Sequence, residues 1–397
     1  SYLEPESGAR AFDFEVRKGD SIRVFAEVTM PENGQDAPVA MNDTLIFSLE
    51  SGVEQHVILV AVGQDAYMWR GRVIEKDTLL QGGRPIVVYD SLSVKAGVTL
   101  SMAPGVKLYF HDGASLWVHG RINVEGTAER PVVFRGDRTD RMFDYLPYDN
   151  TPSRWGGIRL KATSEDNRVN YADIHSASFG IACDSSSLDF VKLTLENSVI
   201  HNVGGEGLGL YHSRVSVGNT QISNTLGHCV AVVGGWAEFV HCTLAQFYPW
   251  DASRGAALYL ANKWLAEDYP LEHAYFLNCL VTGYADDVVT GNLEDKDKSV
   301  DYYFGNCVLR TVEDVDNAAR FVDVVYEAKE DENSGQKQFR LFDTDNFLYD
   351  FRLKDIALAR DKGAVEWAAG YPADRWGVDR LTGGMPDAGC YEFVSEE

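Results

Sequence analysis

Apolar and polar positions recur in one fixed phrase between Tyr171 and Leu309. It reads Tyr171-Ala172-Asp173-Ile174, Asn197-Ser198-Val199-Ile200, Asn219-Thr220-Gln221-Ile222, His241-Cys242-Thr243-Leu244, Asn278-Cys279-Leu280-Val281 and Asn306-Cys307-Val308-Leu309. Each copy has a polar residue, usually Asn, then a small one, a variable one and an aliphatic. The copies start 26, 22, 22, 37 and 28 positions apart, which is the range of solenoid repeats. The small and aliphatic positions are two apart and so share one face of a strand. Stacked copies would line up as two interior columns. Twenty-two residues at about 3.3 Å each give a contour of roughly 73 Å, enough for one turn made of three short strands and their bends. No long stripe of period 3.6 argues for helices. The lead Asn falls at a bend, where side-chain amides about 4.8 Å apart can hydrogen-bond along the axis. A second strand signal follows Gly at Gly180-Ile181, Gly207-Leu208, Gly227-His228-Cys229-Val230 and Gly255-Ala256. The pattern predicts an all-β chain wound as a parallel β-helix.

Ahead of the repeats the text alternates differently. Phe12, Phe14 and Val16, then Ile22, Val24, Ala26 and Val28, precede the turn-rich Pro31-Glu32-Asn33-Gly34. The runs Leu45–Leu49 and Val57–Val62 follow. This spacing predicts antiparallel strands in a small β-sandwich-like domain over residues 1–80, with residues 1–9 frayed. Such a domain could cover the open N-terminal end of the coil, whose unpaired backbone groups invite aggregation. The β-helix is expected over 81–335. Its text decays into the charged Glu327-Ala328-Lys329-Glu330-Asp331-Glu332, and residues 336–397 are expected to cap its C-terminal end.

Several stretches carry a resemblance. Ala96-Gly97-Val98-Thr99-Leu100 through Pro104-Gly105-Val106, then Leu116-Trp117-Val118-His119-Gly120 through Gly126-Thr127, and Arg130-Pro131-Val132-Val133-Phe134 are followed by Trp155-Gly156-Gly157-Ile158. With Asp361-Lys362-Gly363, Asp379-Arg380 and Pro386-Asp387-Ala388-Gly389-Cys390-Tyr391-Glu392-Phe393, this text resembles secreted and cell-surface bacterial right-handed parallel β-helix proteins of the pectate-lyase-like class, many of them surface lipoproteins of Bacteroidetes-type bacteria. The resemblance covers about Leu92 to Phe393. It implies a single-stranded right-handed coil, in keeping with the hand of parallel crossovers, and counting the coils before Tyr171 gives about ten rungs, or about 50 Å. Its motifs are turns and core positions, so they specify a fold more than an activity. Cys390 stands where the class usually has Ala.

Charge narrows the partners. Sixty acidic against 36 basic residues leave a net −24, which opposes nucleic-acid phosphates. It also opposes polyuronates unless a divalent cation such as Ca2+ bridges them. No cofactor motif is evident, and Asp343-Thr344-Asp345-Asn346 lacks the Gly and closing Glu of a calcium loop. No apolar run is long enough to span a membrane. A signal segment or lipid anchor would lie upstream of Ser1, and the expected location is extracellular or on an outer-membrane surface. The six cysteines lack CxxC spacing. Cys242, Cys279 and Cys307 fall in the interior small-residue column and read as buried thiols, while Cys183, Cys229 and Cys390 remain unassigned.

Four groups of residues have chemical potential. The swollen spacing after His241 brings Phe247, Tyr248, Trp250 and Asp251, then Trp264, Glu267, Asp268 and Tyr269. Aromatic rings beside carboxylates suit sugars, whose C–H faces stack while hydroxyls are hydrogen-bonded; the same rings would also serve to pack the loop onto the coil. On the outward face, a column reads His175, His201, Ser223, Ala245, Thr282, Arg310, and Asp173 precedes His175 by two. Asp173, His175 and His201 thus form a two-His-one-carboxylate candidate for a metal, or simply exposed histidines. The fragments Arg159-Leu160-Lys161, Gly227-His228-Cys229 and Asp286-Asp287 resemble pieces of pectin-hydrolase sites in reversed order, without an upstream Asn-x-Asp. The stretch Arg138–Arg154, with Asp140, Arg141, Asp144, Tyr145, Tyr148 and Asp149, bulges before Trp155 and offers a groove wall or a structural loop. The expectation is a surface protein recognising a glycan or other surface polymer. The alternatives are a polysaccharide lyase or glycoside hydrolase acting on the coil's outer face, and a structural or adhesive rod.

Overall fold

The computed structural model describes residues 15–395 except 33, 35, 265–266, 295–299 and 383; Phe12 and Phe14 of the predicted first strand lie outside them. The chain divides into two compact units. In the first, Val39–Ser48 pairs antiparallel with Glu54–Gly63. Val16 to Val28 carry no strand, although their alternation predicted one. Alternation yields a strand only where one face finds cover, and Val16, Val24 and Val28 are all exposed. Among the described residues this unit therefore shows one hairpin, with no second sheet to complete a sandwich.

The second unit is a parallel β-helix, and its ladder opens at Tyr67–Ile74, ahead of position 81. Three sheets run its length. The first includes Lys107–Phe110, Val132–Gly136, Ala172–His175, Val199–Val203, Gln221–Thr225, Thr243–Gln246, Leu280–Gly283, Val308–Leu309 and Val325–Tyr326, each parallel to the next. The second includes Ser115–Val118, Gly157–Leu160, Ile181–Cys183, the start of Leu208–Gly218, the start of Val230–Val240, Leu258–Ala261 and Val289–Asn292. The third joins Arg121–Glu125, Asn167–Asn170, Leu193–Glu196, the ends of those two long strands, Leu271–Leu277 and Val300–Gly305.

The repeated phrase explains the bend into the first sheet. Its lead residue is in the left-handed region at every copy: Tyr171 (φ 50°), Asn197 (49°), Asn219 (48°), His241 (50°), Asn278 (52°) and Asn306 (53°). Asn tolerates that conformation better than most residues. Its amide then bonds along the axis, Asn197 Nδ2 donating to Asn170 Oδ1 (2.8 Å) and Asn219 Nδ2 to Asn197 Oδ1 (3.1 Å). The next position is small in every copy and, in all but Ala172, able to accept a hydrogen bond, because the turned backbone leaves an N–H without its ladder carbonyl. Ser198 Oγ accepts from Ala172 N (3.0 Å), Cys279 Sγ from Cys242 N and Cys307 Sγ from Cys279 N (both 3.4 Å). The three thiols are thus successive members of one interior column. All six cysteines are buried and unpaired. Aliphatics fill the rest of the interior, with Phe239, Phe276, Phe304 and Phe321 stacked at 4.8–5.1 Å spacings.

The C-terminal residues depart from the expected end cap. Phe339–Asp343 and Leu348–Leu353 form an antiparallel hairpin, and the chain then runs back along the side of the coil. Ala364 exchanges hydrogen bonds with the Asn278 side chain (2.8 and 2.9 Å), Ala373 O accepts from Asn219 Nδ2 (2.9 Å), and Tyr371 Oη donates to Glu196 Oε1 (3.3 Å). Gly218 is needed beneath it, since a Cβ there would lie 2.2 Å from the Tyr371 ring. The segment covers outward positions of the first sheet. Ala245, Leu280 and Val308 join Phe247, Phe339, Phe351, Cys390 and Tyr391 in a second apolar core outside the coil. Those outward residues are hydrophobic because they face another layer rather than water.

Candidate functional site

A groove of about 400 Å³ opens on the outer face of the second sheet. Its floor comes from small outward residues, Ala182 and Gly209, paired in register on neighbouring rungs. Arg159 occupies the same column one rung earlier. Two residues along, Asp184 and Tyr211 rise beside it, and Phe179 and Glu206 line the turn side. The opposite wall is the insertion: Lys263–Trp264 pairs antiparallel with Glu267–Asp268, placing Trp264 and Tyr269 over the groove. Trp264 meets Tyr211 edge-on at 5.5 Å between centroids, and Tyr269 meets His212 at 5.8 Å. Glycine seats this wall. Gly234 and Gly235 both have positive φ (64° and 83°), and a Cβ on Gly234 would lie 2.5 Å from Tyr269 Cβ.

The groove's electrostatics are fixed by paired groups. Asp184 Oδ1 accepts from Arg159 Nε and Oδ2 sits by Lys161 Nζ, both at 2.7 Å. Although partial burial opposes ionisation, the two cations hold the Asp184 carboxyl below its ordinary range. Tyr269 Oη donates to Glu267 Oε2 (2.7 Å). His212 Nδ1 has no hydrogen-bond partner among the described residues. The combination of the Tyr211, Trp264 and Tyr269 rings, the fixed Asp184 carboxylate and Arg159 over a small-residue floor suits a polyhydroxylated chain.

The candidate platform read from the insertion is divided by the structure. Trp264 and Tyr269 line the groove, with Glu267 bonded to Tyr269 and Asp268 in the same hairpin. Tyr248, Trp250 and Asp251 do not line it. Tyr248 is buried, Trp250 lies flat on Phe347 at 4.2 Å, and Asp251 Oδ1 caps its own turn through Ser253 N and Oγ (both 2.8 Å). That part of the insertion packs on the C-terminal hairpin. Asp184, Glu206, Tyr211 and His212 were missed by sequence reasoning. Their signal was their place flanking the inward pairs Ile181/Cys183 and Leu208/Leu210, beside the Gly-rich run Gly204–Gly209.

Asp173, His175 and His201 are brought together on the first sheet. His175 and His201 are register partners on adjacent rungs, their rings 4.9 Å apart. Asp173 Oδ1 lies 2.8 Å from His175 Nδ1 and 3.3 Å from His201 Nε2. The 138–154 bulge supplies Asp149, whose Oδ2 is 3.8 Å from His175 Nε2 and 2.5 Å from Arg135 Nη1. Trp155, stacked on Phe110 in the core, donates Nε1 to His175 O (2.8 Å) and anchors the strand. Burial pulls the His175 pKa down, but the Asp173 charge, the hydrogen bond to Asp173 and the nearby Asp149 carboxylate outweigh it and raise it to about 9. Asp173 is correspondingly held well below the usual carboxylate range, burial being overcome by both imidazoles.

The hydrolase-like fragments serve other ends. Arg159 and Lys161 clamp Asp184. His228 stacks on Tyr259 at 4.6 Å and its Nδ1 accepts from Ala256 N (3.0 Å). Asp287 Oδ1 accepts from Thr311 Oγ1 (2.8 Å) and Val289 N (3.1 Å). None of Gly227, His228, Asp286 and Asp287 lines the groove.

The fold defines the class as an all-β protein built on a long parallel β-helix. No family profile, no curated protein and no solved structure matches this chain. Among the described residues no helix is long and apolar enough to cross a membrane.

Proposed function

We propose that the protein binds a glycan chain in the groove between Arg159 and Trp264. The observation that carries this is the convergence of Tyr211, Trp264 and Tyr269 over the small-residue floor of Ala182 and Gly209. Sugar rings stack on aromatic faces, and ion-paired Asp184 and Arg159 present fixed acceptors and donors to hydroxyls. Binding is favoured over cleavage, because a hydrolase needs one carboxylic acid held protonated near a second carboxylate. Asp184 is instead held ionised between two cations. The resemblance of Trp155-Gly156-Gly157-Ile158 and the Asp387–Phe393 ending to pectate-lyase-like surface proteins supports placing this chain among them, extracellular or on an outer-membrane surface.

Affinity electrophoresis against a panel of soluble polysaccharides, guided by a glycan array, tests the reading. Trp264→Ala and the groove-filling Ala182→Trp are expected to weaken retention by about tenfold or more, about 1.4 kcal/mol. Trp250→Ala should leave it unchanged. Equal retention in all three variants, or no retained glycan, overturns the proposal.

A further inference from the structure

Away from the groove, we infer that Asp173, His175 and His201 form a binding site for a divalent first-row transition metal such as zinc. Three observations converge. One carboxylate oxygen and one nitrogen from each imidazole all lie within 4.8 Å of one another, so a small side-chain adjustment brings them inside the spacing of at most about 4.4 Å that two ligands of one ion have when each is about 2.0–2.2 Å from it. His175 Nδ1 and His201 Nε2 lie 2.8 and 3.3 Å from Asp173 Oδ1, which makes these three the candidate ligand atoms. The remaining nitrogen of His175 lies 3.8 Å from Asp149 Oδ2, within charge interaction but not hydrogen-bond reach, and Asp149 is anchored by Arg135. A carboxylate on the far nitrogen of a ligating histidine orients the ring and strengthens it as a donor. Finally, the site has an entry side, since the Asp173 and His201 side chains are 33% and 25% exposed while His175 is 9%.

Charge balance favours an ion here. Arg135 offsets Asp149, which leaves the Asp173 carboxylate facing two imidazoles. Two nitrogen donors select a transition metal over calcium, which takes oxygen ligands. Three protein ligands leave a further position for water or an oxygen of another molecule, as in open rather than closed sites. The column supports a local site. On the following rungs the same position is Ser223, Ala245 and Thr282, which are buried.

Isothermal titration of zinc chloride into the chelator-treated full chain tests this. One saturable site per chain is expected. His201→Ala, at the exposed edge, and the isosteric Asp173→Asn should each weaken it about tenfold or more. His111→Ala, which removes the separate His111–Asp137 pair (2.7 Å), should not. Cobalt in place of zinc should give visible d–d absorption in the wild type that is lost in His201→Ala. No saturable binding, binding unchanged in both site variants, or binding lost equally in His111→Ala overturns the inference. Circular dichroism of each variant separates lost binding from lost fold.

Discussion

The His241 side chain stands where four other rungs place Asn, and it shows what one position in the ladder demands. It is fully buried at φ 50°, accepts from Asn278 Nδ2 through Nε2 (2.9 Å) and lies 3.3 Å from Gly389 O through Nδ1. Burial, reinforced by nearby Arg380, depresses its pKa well below the ordinary value. The native state then resists a proton that the unfolded chain accepts. Its contribution is present above the unfolded pKa near 6.5 and is lost as pH falls toward the depressed native value, at up to about 1.4 kcal/mol per pH unit. His241→Asn removes the titration and keeps a residue suited to the left-handed bend. The expected outcome is a shallower loss of stability between neutral pH and mildly acidic pH, read from urea midpoints at each. An equally steep slope in the variant would assign the acid sensitivity elsewhere.

At the scale of elements, the flanking C-terminal segment is held by polar groups as much as by its apolar core. Arg380 is buried, pairs with Glu392, and donates to Asn219 Oδ1 (3.0 Å) and Gly389 O (3.2 Å). Asp374 Oδ1 accepts from Trp376 N (2.7 Å) and Val378 N (2.8 Å), and Oδ2 accepts from Glu392 N (3.0 Å). Removing one member leaves buried partners uncompensated. Arg380→Ala should cost about 3–5 kcal/mol and loosen this segment before the coil. Limited proteolysis is expected to cut after about residue 357 in the variant while the ladder stays protected. Simultaneous loss of both would mean that coil and segment unfold as one.

For the whole molecule, the net charge of −24 sets which polymers can approach. At low ionic strength neutral glycans should be retained more strongly than polyuronates of similar length, and added salt should narrow the difference. Affinity electrophoresis in two salt concentrations measures this. A polyuronate preferred at low salt would overturn the expectation and point to the Arg159–Lys161 pair as an anion site.

The sequence by itself determined the coil. The phrase from Asn197 to Leu309 is legible because each rung repeats the same local problem: a left-handed bend, an N–H needing a small acceptor, and an aliphatic for the interior. It placed Asp173, His175 and His201 together because register follows once the phrase is stacked. It could not show what covers the outer face, since an outward Leu280 or Val308 looks the same in sequence whether its neighbour is water or Phe351. For that reason residues 336–397 read as an end cap when they form a flank. Trp250 and Trp264, likewise, belong to one insertion but face different partners. The direction in which a loop folds is decided by packing against residues distant in sequence, Phe347 for one and Tyr211 for the other, and only the tertiary structure brings those together.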